Sequence, residues 1–100
     1  MDIRIQSIHF DADKKLEAFI EKRLSKLEKF YSRIVNAEVF LKLENDASAP
    51  VREKVAEIKL QVPGKTLYAS ESAKQFEEAI NLTARSLERQ IKREKEKYKK

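Results

Sequence analysis

The chain has 100 residues, 41% hydrophobic and 39% charged, with a formal charge of +5 and a pI near 9.5. That length allows one domain, residues 1–100, with a modest single core, and no apolar run approaches the roughly 20 residues needed to span a bilayer. There is no cysteine, so disulfide frameworks, thiolate nucleophiles and thiolate metal sites are excluded.

The N-terminus "MDIRIQSIHF" lacks a basic segment followed by an apolar one, so no secretory signal is expected and a cytoplasmic location is. It alternates instead, with Ile3 and Ile5 on one face of a half-buried strand that ends near Ser7. Phe10 then precedes "DAD", where Asp11 or Asp13 can accept hydrogen bonds from free helix N–H groups. A helix is predicted from about Asp13 to Ser32. At 100° per residue, Leu16, Phe19, Ile20, Leu24, Leu27, Phe30 and Tyr31 share an apolar arc of about 140°. Lys15, Lys22, Lys26, Lys29 and Arg33 occupy a strip about 60° wide on one flank. Glu17, Glu21 and Glu28 lie on the other flank. Arg23 sits at the edge of the apolar arc, where its stem can pack while its head reaches outward. A solvated amphipathic helix does not by itself sort its charges by sign.

"NAEVFLKLEND" predicts a strand with Ala37, Val39, Leu41 and Leu43 inward, and Glu38, Phe40, Lys42 and Glu44 outward. "NDASAPVR" reads as a loop. "VAEIKLQV" alternates again, with Ala56, Ile58, Leu60 and Val62 inward. Pro63, Gly64 and Lys65 form a tight turn, and "TLYAS" a short strand with Leu67 and Ala69 inward. A second helix is predicted to begin at Glu71 or Ser72, burying Phe76, Ala79, Ile80, Thr83, Leu87 and Ile91. Arg85, Arg89 and Lys92 lie opposite that stripe, with Arg93 further round. Residues 85–100 hold eight basic and three acidic side chains, which matches the charge of the whole chain. Past Ile91 the next large apolar residue is Tyr98, so a flexible basic tail is expected from about residue 94 to 100. The fold class is α+β in the order β-α-β-β-β-α: one four-stranded sheet, its last three strands an antiparallel meander, with both helices on one face.

The residues offer little for catalysis. His9 is the only histidine, the single glycine rules out a glycine-rich phosphate loop, and the carboxylates form no metal spacing. No enzyme activity, cofactor, metal or small-molecule substrate is expected. Binding is better supported, because two basic strips on neighbouring helices can join into one positive surface for phosphates. A membrane would require an apolar helical face that the core already uses, so no membrane partner is expected. Spare aromatics are limited to Phe40, Tyr68 and Tyr98, and structured RNA read by shape and backbone is the expected ligand.

The segments "LEAFIEKRLSKLEKFYSRI", "VPGKTLYASES" and "FEEAINLTARSLERQIKREKEK", in this order over essentially the whole chain, resemble the ribosome hibernation promoting factor and ribosome-associated inhibitor A family in its short form. The resemblance implies a fold similar to double-stranded-RNA-binding domains. It also implies binding to the small ribosomal subunit and its 16S-type RNA near the decoding centre. There such proteins occlude messenger RNA and the A- and P-site transfer RNAs in stationary phase or stress. Carried over by position, the RNA contacts are Lys22, Arg23, Lys26 and Lys29 in helix one, and Arg85, Arg89, Lys92 and Arg93 in helix two, on a protein that is monomeric off the ribosome. The chain departs from the pattern at Gln75 and Asn81, where members commonly carry acids, at Ser86 in place of a lysine, at Ser7 in place of a glycine, and at Asp13 in place of a threonine. Two alternatives stay open: a general double-stranded-RNA-binding module, and a protein-interaction module that uses an outer-face patch at Phe40 and Val55.

Overall fold

A computed structural model of the protein describes residues 1–8, 10–44 and 53–97. His9, the loop expected at 45–52, and Tyr98, Lys99 and Lys100 lie outside the described residues. The elements run β1 (Asp2–Ile8), α1 (Lys14–Phe30), β2 (Asn36–Glu44), β3 (Glu53–Val62), β4 (Lys65–Ala73) and α2 (Phe76–Lys97). The strands form one sheet in the order β1-β2-β3-β4. β1 pairs parallel to β2 across the α1 crossover, and β2, β3 and β4 form the antiparallel meander.

Alternation sets the two faces of the sheet. Ala37, Val39, Leu41, Ala56, Ile58, Leu60, Leu67 and Ala69 point inward and share one core with Leu16, Ile20, Leu24 and Leu27 of α1 and Ala79, Ile80, Leu87 and Ile91 of α2. Both helices therefore cover the same face. α1 and β1 point in opposite senses, as do α2 and β4, so the parallel sense of β1 and β4 makes the two helices parallel to each other. Thr83 is fully buried in the stripe of α2. Its hydroxyl lies 2.7 Å from the Ala79 carbonyl and 3.2 Å from that of Ala56, so a polar atom in the core has its partner.

Several boundaries differ from the sequence reading. β1 continues to Ile8, which pairs with Lys42 and points to the outer face, 38% exposed. α1 stops at Phe30 because Tyr31, extended at φ −146° and ψ 98°, turns its ring into the core, followed by Ile34. The largest correction is at α2, which starts at Phe76 rather than at Glu71 or Ser72. Lys54, Val55 and Ala56 of the long strand β3 pair with Ala73, Ser72 and Glu71 and hold these residues in β4. The ladder outweighs local helix preference.

Side chains close the ends of the elements. Of the two cap candidates Asp11 and Asp13, it is Asp13 whose Oδ1 accepts from the Leu16 N–H at 2.8 Å and caps α1. Phe10 stacks on Phe76 with centroids 5.0 Å apart and clasps the starts of both helices together. At the other end, Lys95 of α2 donates to the Phe30 carbonyl at 3.0 Å and lies 4.3 Å above the Phe30 ring. Phe30, assigned by periodicity to the apolar arc, is thus 42% exposed and covered by a cation rather than by the core. On the free edge of β4, Gln90 of α2 donates to the Tyr68 carbonyl at 2.8 Å, which occupies an acceptor that another strand could otherwise use.

In the β3–β4 turn, Pro63 and Gly64 stand at the two central positions of a two-residue hairpin, and Gly64 has φ 82°. That is the type II arrangement, in which the third residue must take a positive φ. A Cβ at Gly64 would meet no atom within 4 Å, so the cost of substitution is backbone conformation alone. Gly64→Ala is expected to destabilise by about 1 kcal/mol, measured as a lower urea midpoint with an unchanged slope.

Candidate nucleic-acid interface

Each helix presents basic side chains on the side away from its buried stripe. On α1 the buried residues are Leu16, Ile20, Leu24 and Leu27, and Lys15, Lys22, Lys26 and Lys29 are exposed. On α2 the stripe extends through Ala84 and Glu94, and Arg85, Arg89, Lys92 and Arg93 are exposed. Since both stripes rest on one sheet face, both sets of cations point away from the sheet, on the same side of the molecule.

The contacts between the helices fix how the two rows align. Arg23 reaches Asn81 and Glu88, and Phe30 reaches Lys95, at sequence separations of 58, 65 and 65. Lys22 and Arg85, Lys26 and Arg89, and Lys29 and Lys92 are separated by 63 positions in each case, so each pair stands level across the seam. The result is two parallel rails, each about 10 Å long, on helices packed on the order of 10 Å apart. Among the described residues, Lys22, Lys26, Lys29, Arg85, Arg89, Lys92 and Arg93 have no carboxylate at ion-pair distance. Their charge is available to an outside anion.

Arg23 differs from these seven. Its guanidinium donates through Nε to Asn81 Oδ1 at 3.2 Å and through Nη2 to Glu88 Oε1 at 2.7 Å. The side chain is only 14% exposed. It lies in the seam, at the edge of the buried stripe of α1 as expected, with its head turned to α2 on the side that also carries Lys95.

The last turns of α2 are tied down as well. Glu94 falls on the buried stripe, with its side chain 6% exposed, and pairs with Lys65 of the β3–β4 turn and with Lys97 at 3.2 Å. The helix runs to Lys97, and Lys95 and Lys97 make contacts within the molecule. Sequence reasoning passed over Glu94 because a carboxylate does not register as core, although its spacing of three from Ile91 puts it on the stripe. The hydrogen bond from Lys65 is the main cause that holds the Glu94 carboxyl below its usual 4.5. A depressed folded-state value means stabilisation that is present above the ordinary value and lost as pH falls through the lower one. Wild type is expected to melt above Glu94→Gln at pH 7, with the gap closing as pH drops below 4.5; thermal melts across a pH series measure this.

The opposite face of the sheet has a different character. Lys42 pairs with Glu57 at 2.6 Å, and the hydrogen bond between them raises the Lys42 ammonium above its ordinary value. Lys59 lies 5.5 Å above the Phe40 ring. Val55, expected in an exposed patch with Phe40, is buried at 6%, and Tyr68 is the exposed aromatic there at 48%. Phe40 and Val55 therefore do not form the joint apolar surface expected of them. Among the described residues no His/Cys/Asp/Glu group is arranged to hold a metal ion, and no helix is long and apolar enough to cross a membrane.

A β-α-β-β-β-α sheet with two parallel helices carrying level cationic rails defines a class: small α+β domains whose helical layer is cationic. Residues 3–99 match the family described as sigma 54 modulation protein / S30EA ribosomal protein, and the chain belongs to that family. It is 30% identical over 97 residues to the ribosome hibernation promoting factor of Pseudomonas putida, covering 97% of this chain and 89% of that protein. To the Azotobacter vinelandii protein of the same name it is 29% identical, covering 97% and 85%. A solved ribosomal subunit interface protein from Coxiella burnetii superposes with a TM-score of 0.83 at 21% identity, over 95% of this chain and 98% of that one. The Protein Y N-terminal domain of Thermus thermophilus gives 0.79 at 24%, over 93% and 98%. The resemblance in "KLEKF", "YASES" and "LERQI" thus reflects family membership, and the solved structures share its fold.

Proposed function

We propose that this protein is a ribosome hibernation factor. It binds the small ribosomal subunit near the decoding centre and inhibits translation by filling the space of messenger RNA and of A- and P-site transfer RNA. The observation that carries this reading is the pair of level rails, with seven cations on one surface that have no ion-pair partner among the described residues, in a chain similar along its length to proteins named for ribosome hibernation. Lys22, Lys26 and Lys29 of α1 and Arg85, Arg89, Lys92 and Arg93 of α2 contact ribosomal RNA through its phosphates. Arginine forks onto phosphate oxygens while lysine acts as a point charge, so the mixture grips a backbone without reading bases. The action is steric and electrostatic and needs no catalytic group, and it places the protein in the cytoplasm with the ribosomes.

Co-sedimentation with purified small subunits at increasing salt tests the proposal. Seven phosphate contacts predict that log affinity falls with log salt at a slope of about −5 to −6, a loss of roughly 1,000-fold or more between 50 and 200 mM. Absence of binding at low salt would overturn it, and binding that ignores salt would remove the electrostatic mechanism.

A further inference from the structure

Of the eight cations that family position assigns to RNA, seven are exposed and without an ion-pair partner among the described residues, while Arg23 is largely buried and already holds Glu88 and Asn81. The charge of Arg23 is matched by the Glu88 carboxylate at 2.7 Å, so the seam between the rails is close to neutral. An incoming phosphate would have to displace a charge-assisted hydrogen bond in a partly buried site, which costs more than an exposed contact returns. We infer that Arg23 is a positioning residue rather than a phosphate contact: with Glu88 and Asn81 it clips α1 to α2 and holds the two rails at the spacing and level that RNA meets.

The clip is suited to this. Arg23 lies one residue from Lys22 and three from Lys26, and Glu88 lies three from Arg85 and one from Arg89. Any slide of one helix along the other would break the Arg23 bonds before it shifted the rails far. The two bonds anchor one planar guanidinium at positions 81 and 88, two turns apart on α2, which fixes both the distance between the helices and their relative travel. A second polar tie, from Lys95 to the Phe30 carbonyl, joins the helices at the far end of the rails.

Part of this inference rests on the proposed RNA binding, and a charge swap separates the two. Arg23→Glu alone places two carboxylates in the seam, and Glu88→Arg alone two guanidiniums. The double variant restores one of each with the net charge of wild type, and the Asn81 amide can turn its N–H₂ toward the new carboxylate. Thermal unfolding and small-subunit binding are measured on all four proteins. Expected are lower melting temperatures for both single variants and recovery in the double, together with binding that drops about tenfold or more in Arg23→Glu and returns to within about threefold of wild type in the double. Unfolding that is unchanged in the single variants would overturn the clip. Binding that stays lost in the double despite recovered stability would show that Arg23 touches phosphate itself. If wild type fails to bind the subunit, the proposed function falls, and the clip stands or falls on the unfolding cycle.

Discussion

Reversing one cation on each rail, Lys26→Glu with Arg89→Glu, is expected to weaken small-subunit binding by on the order of 100-fold at ~100 mM salt and to lower the salt slope by about 2. The two residues stand level across the seam, so the variant interrupts both rows at one point. Both side chains are exposed and unpaired among the described residues, so the melting temperature should change little, because surface charges contribute at most about 1 kcal/mol. Lys59→Glu on the outer sheet face reverses a charge of the same kind on the side away from the rails. It should bind like wild type in the same sedimentation assay. Equal losses from both variants would mean that net charge matters and the rails do not.

Leu24→Ala is expected to have the largest effect on stability. Leu24 is fully buried in α1 beneath the basic rail and belongs to the core shared with both helices and the sheet. Truncating such a leucine removes its transfer energy and leaves a cavity, together about 3 kcal/mol. For a domain of this size that lowers the melting temperature by roughly 10–25 °C, read by calorimetry or circular dichroism. Below that temperature the variant should still bind small subunits, since none of the seven exposed cations is touched. Binding loss in a folded Leu24→Ala protein would show that rail geometry depends on core packing beyond the seam contacts.

The charges within the molecule and those available to a ligand are kept apart. Glu88 and Glu94 take up Arg23, Lys65 and Lys97, and the Phe30 carbonyl takes up Lys95. The contacts of Arg23, Lys95 and Lys65 fasten α2 to α1 and to the β3–β4 turn. The terminal run that supplies the excess charge of the chain is therefore divided: its first turns face outward as a rail, while Lys95 ties α2 to Phe30 of α1 and Lys97 pairs with Glu94 inside α2.

Local pattern was enough for much of this protein. Alternation over Ala37–Leu41 and Ala56–Val62 identified inward faces that are buried as expected, because a strand's period of two is set by its own backbone. The 3.6-residue period likewise put Leu16, Ile20, Leu24, Ala79, Ile80, Leu87 and Ile91 inside and seven cations outside, and the polar "DAD" supplied the cap, of whose two candidates Asp13 takes the role. Tertiary structure alone decided where β4 ends, since the ladder to Lys54, Val55 and Ala56 cannot be seen in "ESA". It also decided the fate of the charged residues that face another element. Whether Arg23 or Glu94 meets solvent or a partner depends on which helix or turn lies across from it, at 58 to 65 positions for Arg23 and across the β3–β4 turn for Glu94. For most positions here burial follows from the helix's own period, Phe30 being the exception, but an ion pair follows from the neighbour that packing brings to it.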